Sequence, residues 1–148
     1  MSPPAWLEFD DILRIHTVAM HAMDEPPRPV IDEGRLRSKL TRPVNAYHYE
    51  EARDPLLLGA MLAVAVSQAH GFEDGNKRTA LASMAVFLGL LGYDVNVTNE
   101  AVGAWLIAIA EADDRDRDAK TEEFAAWLRQ ATSRTPTHDE GDPSRSSG

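Results

Sequence analysis

At 148 residues the chain is long enough for one domain with a real core, and a formal net charge of −9 argues against a general nucleic-acid binder, which needs clustered Lys and Arg. The absence of cysteine excludes disulfides, thiol chemistry and Cys-based metal sites. Met1–Trp6 shows no basic region followed by an apolar one, and the apolar run Leu56–Val66 is too short to span a bilayer, so the expectation is a soluble, cytoplasmic protein.

After a Pro-containing lead-in, Phe9, Ile12, Leu13, His16, Met20 and Met23 recur at helical spacing and predict an amphipathic helix from about Glu8 to Met23, stopped by Pro26-Pro27 and Pro29. His16 and His21 are five apart, not on one face, and read as ordinary helix residues. Asp32 is the expected cap of a short second helix that ends before Pro43. Tyr47 and Tyr49 alternate within residues 44–50, which suits a short strand. That stretch is either a surface loop or a flap beside the active site.

Asp54-Pro55 is a good helix start, and residues 55–69 are apolar on nearly every side, the pattern of a helix in the middle of a bundle. Gly71 fits the left-handed position that ends many helices. A second core helix runs from Asn76 to about Leu91 and ends at Gly92; Tyr93–Val97 is a short extended connector. Thr98 caps a helix striped with Val102, Trp105, Leu106 and Ile109. Residues 112–123 are charged and mixed in sign and read as a loop. Phe124, Trp127, Leu128 and Ala131 make a last short helix. From Ser133 to Gly148 there is no aliphatic or aromatic residue, so the expectation is one helical domain over residues 1–132 and a disordered tail over 133–148. The fold class is all-α: about six helices around a buried central one.

Between the two core helices lies His70-Gly71-Phe72-Glu73-Asp74-Gly75-Asn76-Lys77-Arg78. A helix beginning at Gly75-Asn76 presents unpaired N–H groups and a partial positive charge, which suits phosphate. Gly75 would let the backbone approach a ligand, and Lys77 and Arg78 add two cations, Arg with a bidentate grip. Asp74 is a carboxylate suited to Mg²⁺ that also touches phosphate oxygens. His70 is the side chain suited to proton transfer near neutral pH. Phe72 reads as an anchor for the loop and Glu73 as solvent-facing. Each residue also has a plain structural reading: His70 capping carbonyls, Asp74 and Asn76 as N-caps, Lys77 and Arg78 as a solvated face. Those readings leave unexplained why all five share one break in the core. Together the residues point to phosphoryl or nucleotidyl transfer.

The run His70-x-Phe72-x-Asp74-Gly75-Asn76-Lys77-Arg78 resembles the signature of the Fic/Doc superfamily, and Lys77 resembles its Doc (death-on-curing) branch, the toxins of bacterial toxin–antitoxin pairs. The resemblance extends over roughly residues 8 to 130, through Gly34–Pro43 before the central helix and Thr79–Tyr93 after it. It implies a Fic-type helical bundle in which His70 is the base, with Lys77 and Arg78 catalytic. It also implies that Gly75, Asn76, Lys77 and Arg78 bind the phosphates of ATP and that Asp74 holds Mg²⁺. The Doc branch phosphorylates elongation factor Tu with ATP and halts translation. The AMP-transferring branch has Gly in place of Lys77 and an Arg in place of Leu81, and needs the nucleotide in the opposite orientation. Phosphate transfer is therefore the expected reaction; AMP transfer and a non-catalytic nucleotide- or antitoxin-binding module are the alternatives. Many members carry an inhibitory Ser or Thr followed four residues later by Glu. This sequence contains no such pair, which implies an antitoxin acting in trans.

Overall fold

The computed structural model describes residues 3–135. The chain forms seven α-helices in this span: α1 (Phe9–His21), α2 (Glu33–Lys39), α3 (Thr41–Tyr49), α4 (Pro55–Ala69), α5 (Asn76–Leu90), α6 (Asn99–Glu111) and α7 (Asp114–Gln130). Two short strands, β1 (Tyr93–Val95) and β2 (Thr132–Arg134), complete an all-α fold. None of the described helices is long and apolar enough to cross a membrane.

α4 lies in the middle and packs against α2, α3, α5, α6 and α7. Its composition explains this: Leu56, Leu58, Ala60, Leu62, Ala63 and Val66 point in several directions and are all buried. Asp54 caps it by accepting the Leu56 N–H at 3.1 Å, Pro55 occupies the first turn, and the other Asp54 oxygen pairs with Arg129 of α7. The tightest crossing is with α5. A Cβ on Gly59 would lie 2.9 Å from Leu88 Cγ, so only glycine allows this approach. One continuous core runs from Phe9 and Ile12 of α1 through α4 and α5 to Phe124 and Leu128 of α7. Trp6 closes one end, stacked on Phe87 and edge-on to Tyr47; Trp105, Phe124 and Trp127 pack together at the other.

Four expectations are corrected. Residues 44–50 are not extended but lie in α3, with Pro43 in its first turn, where a missing N–H costs nothing. On a strand Tyr47 and Tyr49 would share a face; on this helix Tyr47 is 8% exposed and Tyr49 82% exposed. Residues 114–123 are not a loop but the first half of α7. Acidic Asp114 and Asp116 suit its first turn, and Thr121, Phe124 and Leu128 form one inward stripe that carries the helix through the charged segment. The third concerns the start of the tail: Ser133 and Arg134 pair antiparallel with Asp94 and Tyr93, and the Arg134 guanidinium sits over the Tyr93 ring at 4.8 Å. The rest of the tail, 136–148, lies outside the described residues. The fourth, at Gly71, concerns the site.

Candidate active site

α4 runs straight into the motif. Its C-cap is His70, at φ 47° and ψ 44°, in the left-handed region that costs a non-glycine residue strain. The left-handed turn thus falls on His70 and not on Gly71. Gly71 has a different role: a Cβ there would sit 3.1 Å from Leu36 Cβ, so glycine lets the loop lie against α2. His70 leaves the helix end exposed, held on a buried helix that gives it a rigid mount.

The loop that follows is clasped from several sides. Asn76 donates from Nδ2 to the Phe72 carbonyl at 2.9 Å and accepts the Phe72 N–H on Oδ1 at 3.1 Å. Phe72 itself is buried, as an anchor should be. A strap formed by residues 26–32, between α1 and α2, runs antiparallel beside the loop. The Glu73 N–H donates to the Pro29 carbonyl at 2.9 Å, the Ile31 N–H to the Gly71 carbonyl at 2.7 Å, and Val30 bridges to Phe72. Arg28 of the strap pairs with Glu73 at 2.9 Å.

At the other end of the loop, Gly75 caps α5 at φ 81°, a conformation that favours glycine, and no side chain caps the helix. A Cβ on Gly75 would lie 2.5 Å from Met20 Sδ and 3.2 Å from His16 Cε1, so the missing side chain also faces α1. The Thr79 N–H is the first to find a helical carbonyl, that of Gly75; among the described residues the N–H groups of Asn76, Lys77 and Arg78 have no acceptor. Asp74 Oδ1 accepts the Gly75 N–H at 2.7 Å, and Oδ2 has no protein partner among the described residues. Lys77 and Arg78 form no ion pair among the described residues, since Glu73 is taken by Arg28.

His70, Asp74, Gly75, Asn76, Lys77 and Arg78, the six residues singled out in the sequence, line one cleft of about 490 Å³, with Met20, Met23, Glu25, Ser67 and Glu73 around them. The cleft joins a side chain able to take a proton, the Asp74 carboxylate and two cations that form no ion pair among the described residues, and an uncapped helix start; its other carboxylates, Glu25 and Glu73, pair with Arg28. No group of three or more His, Asp or Glu suited to holding a metal by themselves occurs among the described residues. One carboxylate beside a phosphate site still fits Mg²⁺, which keeps most of its ligands as water and substrate oxygens.

Residues 44–50 do not flank this cleft; Met20, Met23 and Glu25 do, and the strap lies against the motif loop beside them. His16 is the residue that sequence reasoning undervalued. It is 1% exposed, its ring stacks on Phe72 at 3.8 Å between centroids, Nδ1 lies 2.8 Å from Thr79 Oγ1, and Nε2 accepts the Arg28 N–H at 3.0 Å. Burial lowers its pKa from the ordinary 6.5, with the Asp74 carboxylate acting in the opposite direction. The signal was its place on the inward stripe of α1, where an imidazole must find partners.

No curated protein matches the chain. The family model for the Fic/DOC family matches residues 6–88, more than half of the 148, and spans the whole of His70–Arg78. The chain belongs to the Fic/DOC family.

Proposed function

We propose that the protein transfers the γ-phosphate of ATP to a hydroxyl of a target protein, with elongation factor Tu as the expected target and arrest of translation as the consequence. Members of this family are transferases that act on nucleotides. The observation that carries the reading is the single cleft in which an exposed His70 faces the uncapped start of α5 with its two unpaired cations. Phosphates lie against the N–H groups of Asn76, Lys77 and Arg78, where the helix end is positive. Asp74 would hold Mg²⁺, which screens the phosphate charge. Lys77 and Arg78 stabilise the charge on the transferred group, the largest catalytic contribution expected for phosphoryl transfer. Asn76, with both ends of its amide on Phe72, keeps the loop shaped. His70 takes the proton of the attacking hydroxyl as the bond from its oxygen to the γ-phosphorus forms and ADP leaves.

Lys77 favours phosphate transfer over AMP transfer. A long side chain on the second residue of α5 crowds the backbone nest where a glycine at this position would seat a phosphate. The target chain lies along the strap: Val30 pairs with the motif through its neighbours, so its own N–H and C=O point outward and offer an edge for an added strand. An active enzyme of this kind needs control, and an antitoxin in trans supplies it.

The test is transfer from ATP labelled at the γ- or at the α-phosphate into the proteins of a dialysed bacterial extract, with His70→Ala as the reference. Label from the γ-position above the reference supports phosphate transfer. Label from the α-position assigns AMP transfer, and none from either would reduce the chain to a binding module.

A further inference from the structure

His16 belongs to α1, outside the motif, yet it touches three separate pieces of the site. Its ring lies flat on Phe72 of the loop, at 5° between planes. One ring nitrogen meets Thr79, in the first turns of α5, and the other meets the Arg28 backbone of the strap. The partners fix the tautomer. A backbone N–H can only donate, so Nε2 carries no hydrogen, and Nδ1–H donates to Thr79 Oγ1. Gly75 completes the arrangement, because its backbone passes so close to His16 and Met20 that no Cβ fits.

We propose that His16 is a positioning residue: as the Nδ1–H tautomer it holds the Pro26–Asp32 strap, the motif loop and the start of α5 in one fixed arrangement around the cleft. This rests on the reading of the cleft as a nucleotide site for its consequence, and on geometry alone for its substance. The three pieces have few other ties to one another through α1. The strap lies against the loop through the backbone bonds of Ile31 and Glu73, and the loop is joined to α5 through Asn76. His16 is the side chain that contacts all three. Because donor and acceptor sit on one ring, the two bonds are coupled. Removing the acceptor at Thr79 leaves the buried Nδ1–H without a partner, so the ring turns to find one and its Nε2 moves off the Arg28 N–H, which loosens the strap.

Two pairs of variants separate positioning from mere packing. Gln at position 16 can place an acceptor near Nε2 and Asn a donor near Nδ1. Thr79→Val removes the acceptor and Thr79→Ser keeps it. The readout is amide hydrogen exchange of Arg28, Ile31 and Glu73 in the full chain without nucleotide. Exchange should rise roughly tenfold in His16→Asn and in Thr79→Val, and stay within a few-fold of the parent in His16→Gln and Thr79→Ser. The Thr79→Val result is the decisive one, because Thr79 makes no hydrogen bond to the strap and is not expected to loosen it by packing alone. In a transfer assay the loosened variants should lose kcat and weaken nucleotide KM together, with Thr79→Ser restoring both. Strap exchange unchanged in Thr79→Val, or equal in the Gln and Asn variants, overturns the proposal. A parent protein without transfer activity but with the predicted exchange pattern leaves positioning in place and removes the enzymatic reading instead.

Discussion

Asn76 binds Phe72 twice, through both ends of its amide, so the loop between the two core helices is closed by one side chain. Asn76→Ala leaves the N–H and carbonyl of a buried residue without partners. The expected cost is about 1–3 kcal/mol in urea unfolding, together with weaker nucleotide binding by calorimetry. An unchanged unfolding midpoint would mean that the clasp is incidental.

His70 spends its backbone in the left-handed region, where glycine is at ease. His70→Gly should therefore keep or raise stability, by up to about 1 kcal/mol, while abolishing transfer. Chemical denaturation and the labelled-ATP assay, run on the same preparation, check both halves. A clear loss of stability would show that the imidazole has a structural role.

Gly59 sets how closely α4 meets α5, and hence how His70 is placed relative to the α5 start. Gly59→Ala improves helix propensity by about 1 kcal/mol but drives a Cβ to 2.9 Å from Leu88 Cγ. Overpacking should win, with a net loss of about 1–2 kcal/mol and a lower thermal midpoint. A rise in the midpoint would show that the two helices separate without cost.

His16 gives the stability a pH dependence with a defined sign. Burial lowers its pKa in the fold, while the unfolded chain takes up a proton near the ordinary 6.5. Its contribution is therefore fully present above 6.5 and is lost as the pH falls from there towards the lower folded-state value. The groups around it are Asp74 in the loop, Arg28 with its partners Glu25 and Glu73, and the neutral Thr79. Urea midpoints measured across this range should fall more steeply for the parent than for His16→Gln. Equal slopes would contradict the assignment.

Much of this was legible in the sequence because local signals agreed with the global fold. Asp54-Pro55 and the apolar run behind it fixed α4 from Pro55 to Ala69, and Thr98 capped α6 as read. The six polar residues in the break between α4 and α5 do line one cleft. The failures have physical causes. Tyr47 and Tyr49 alternate like a strand, but burial of Ala46 and Tyr47 with exposure of Tyr49 fits a helix, and nothing local reveals which face the core offers. The charged first half of α7 is carried by its apolar second half, and β2 forms only because β1 offers an edge across the chain. The left-handed turn falls on His70 and not on Gly71, whose missing Cβ instead lets the loop lie close against Leu36 of α2, a contact that the local sequence does not reveal. His16 lay in plain view on the α1 stripe, but its partners come from 12 and 63 residues away.

The most direct test of the central claim is intact-mass spectrometry of purified elongation factor Tu after incubation with this protein, ATP and Mg²⁺, with His70→Ala alongside. The account predicts a gain of one phosphate that is absent with the variant. A gain of one AMP, an equal gain with His70→Ala, or no gain at all would contradict it.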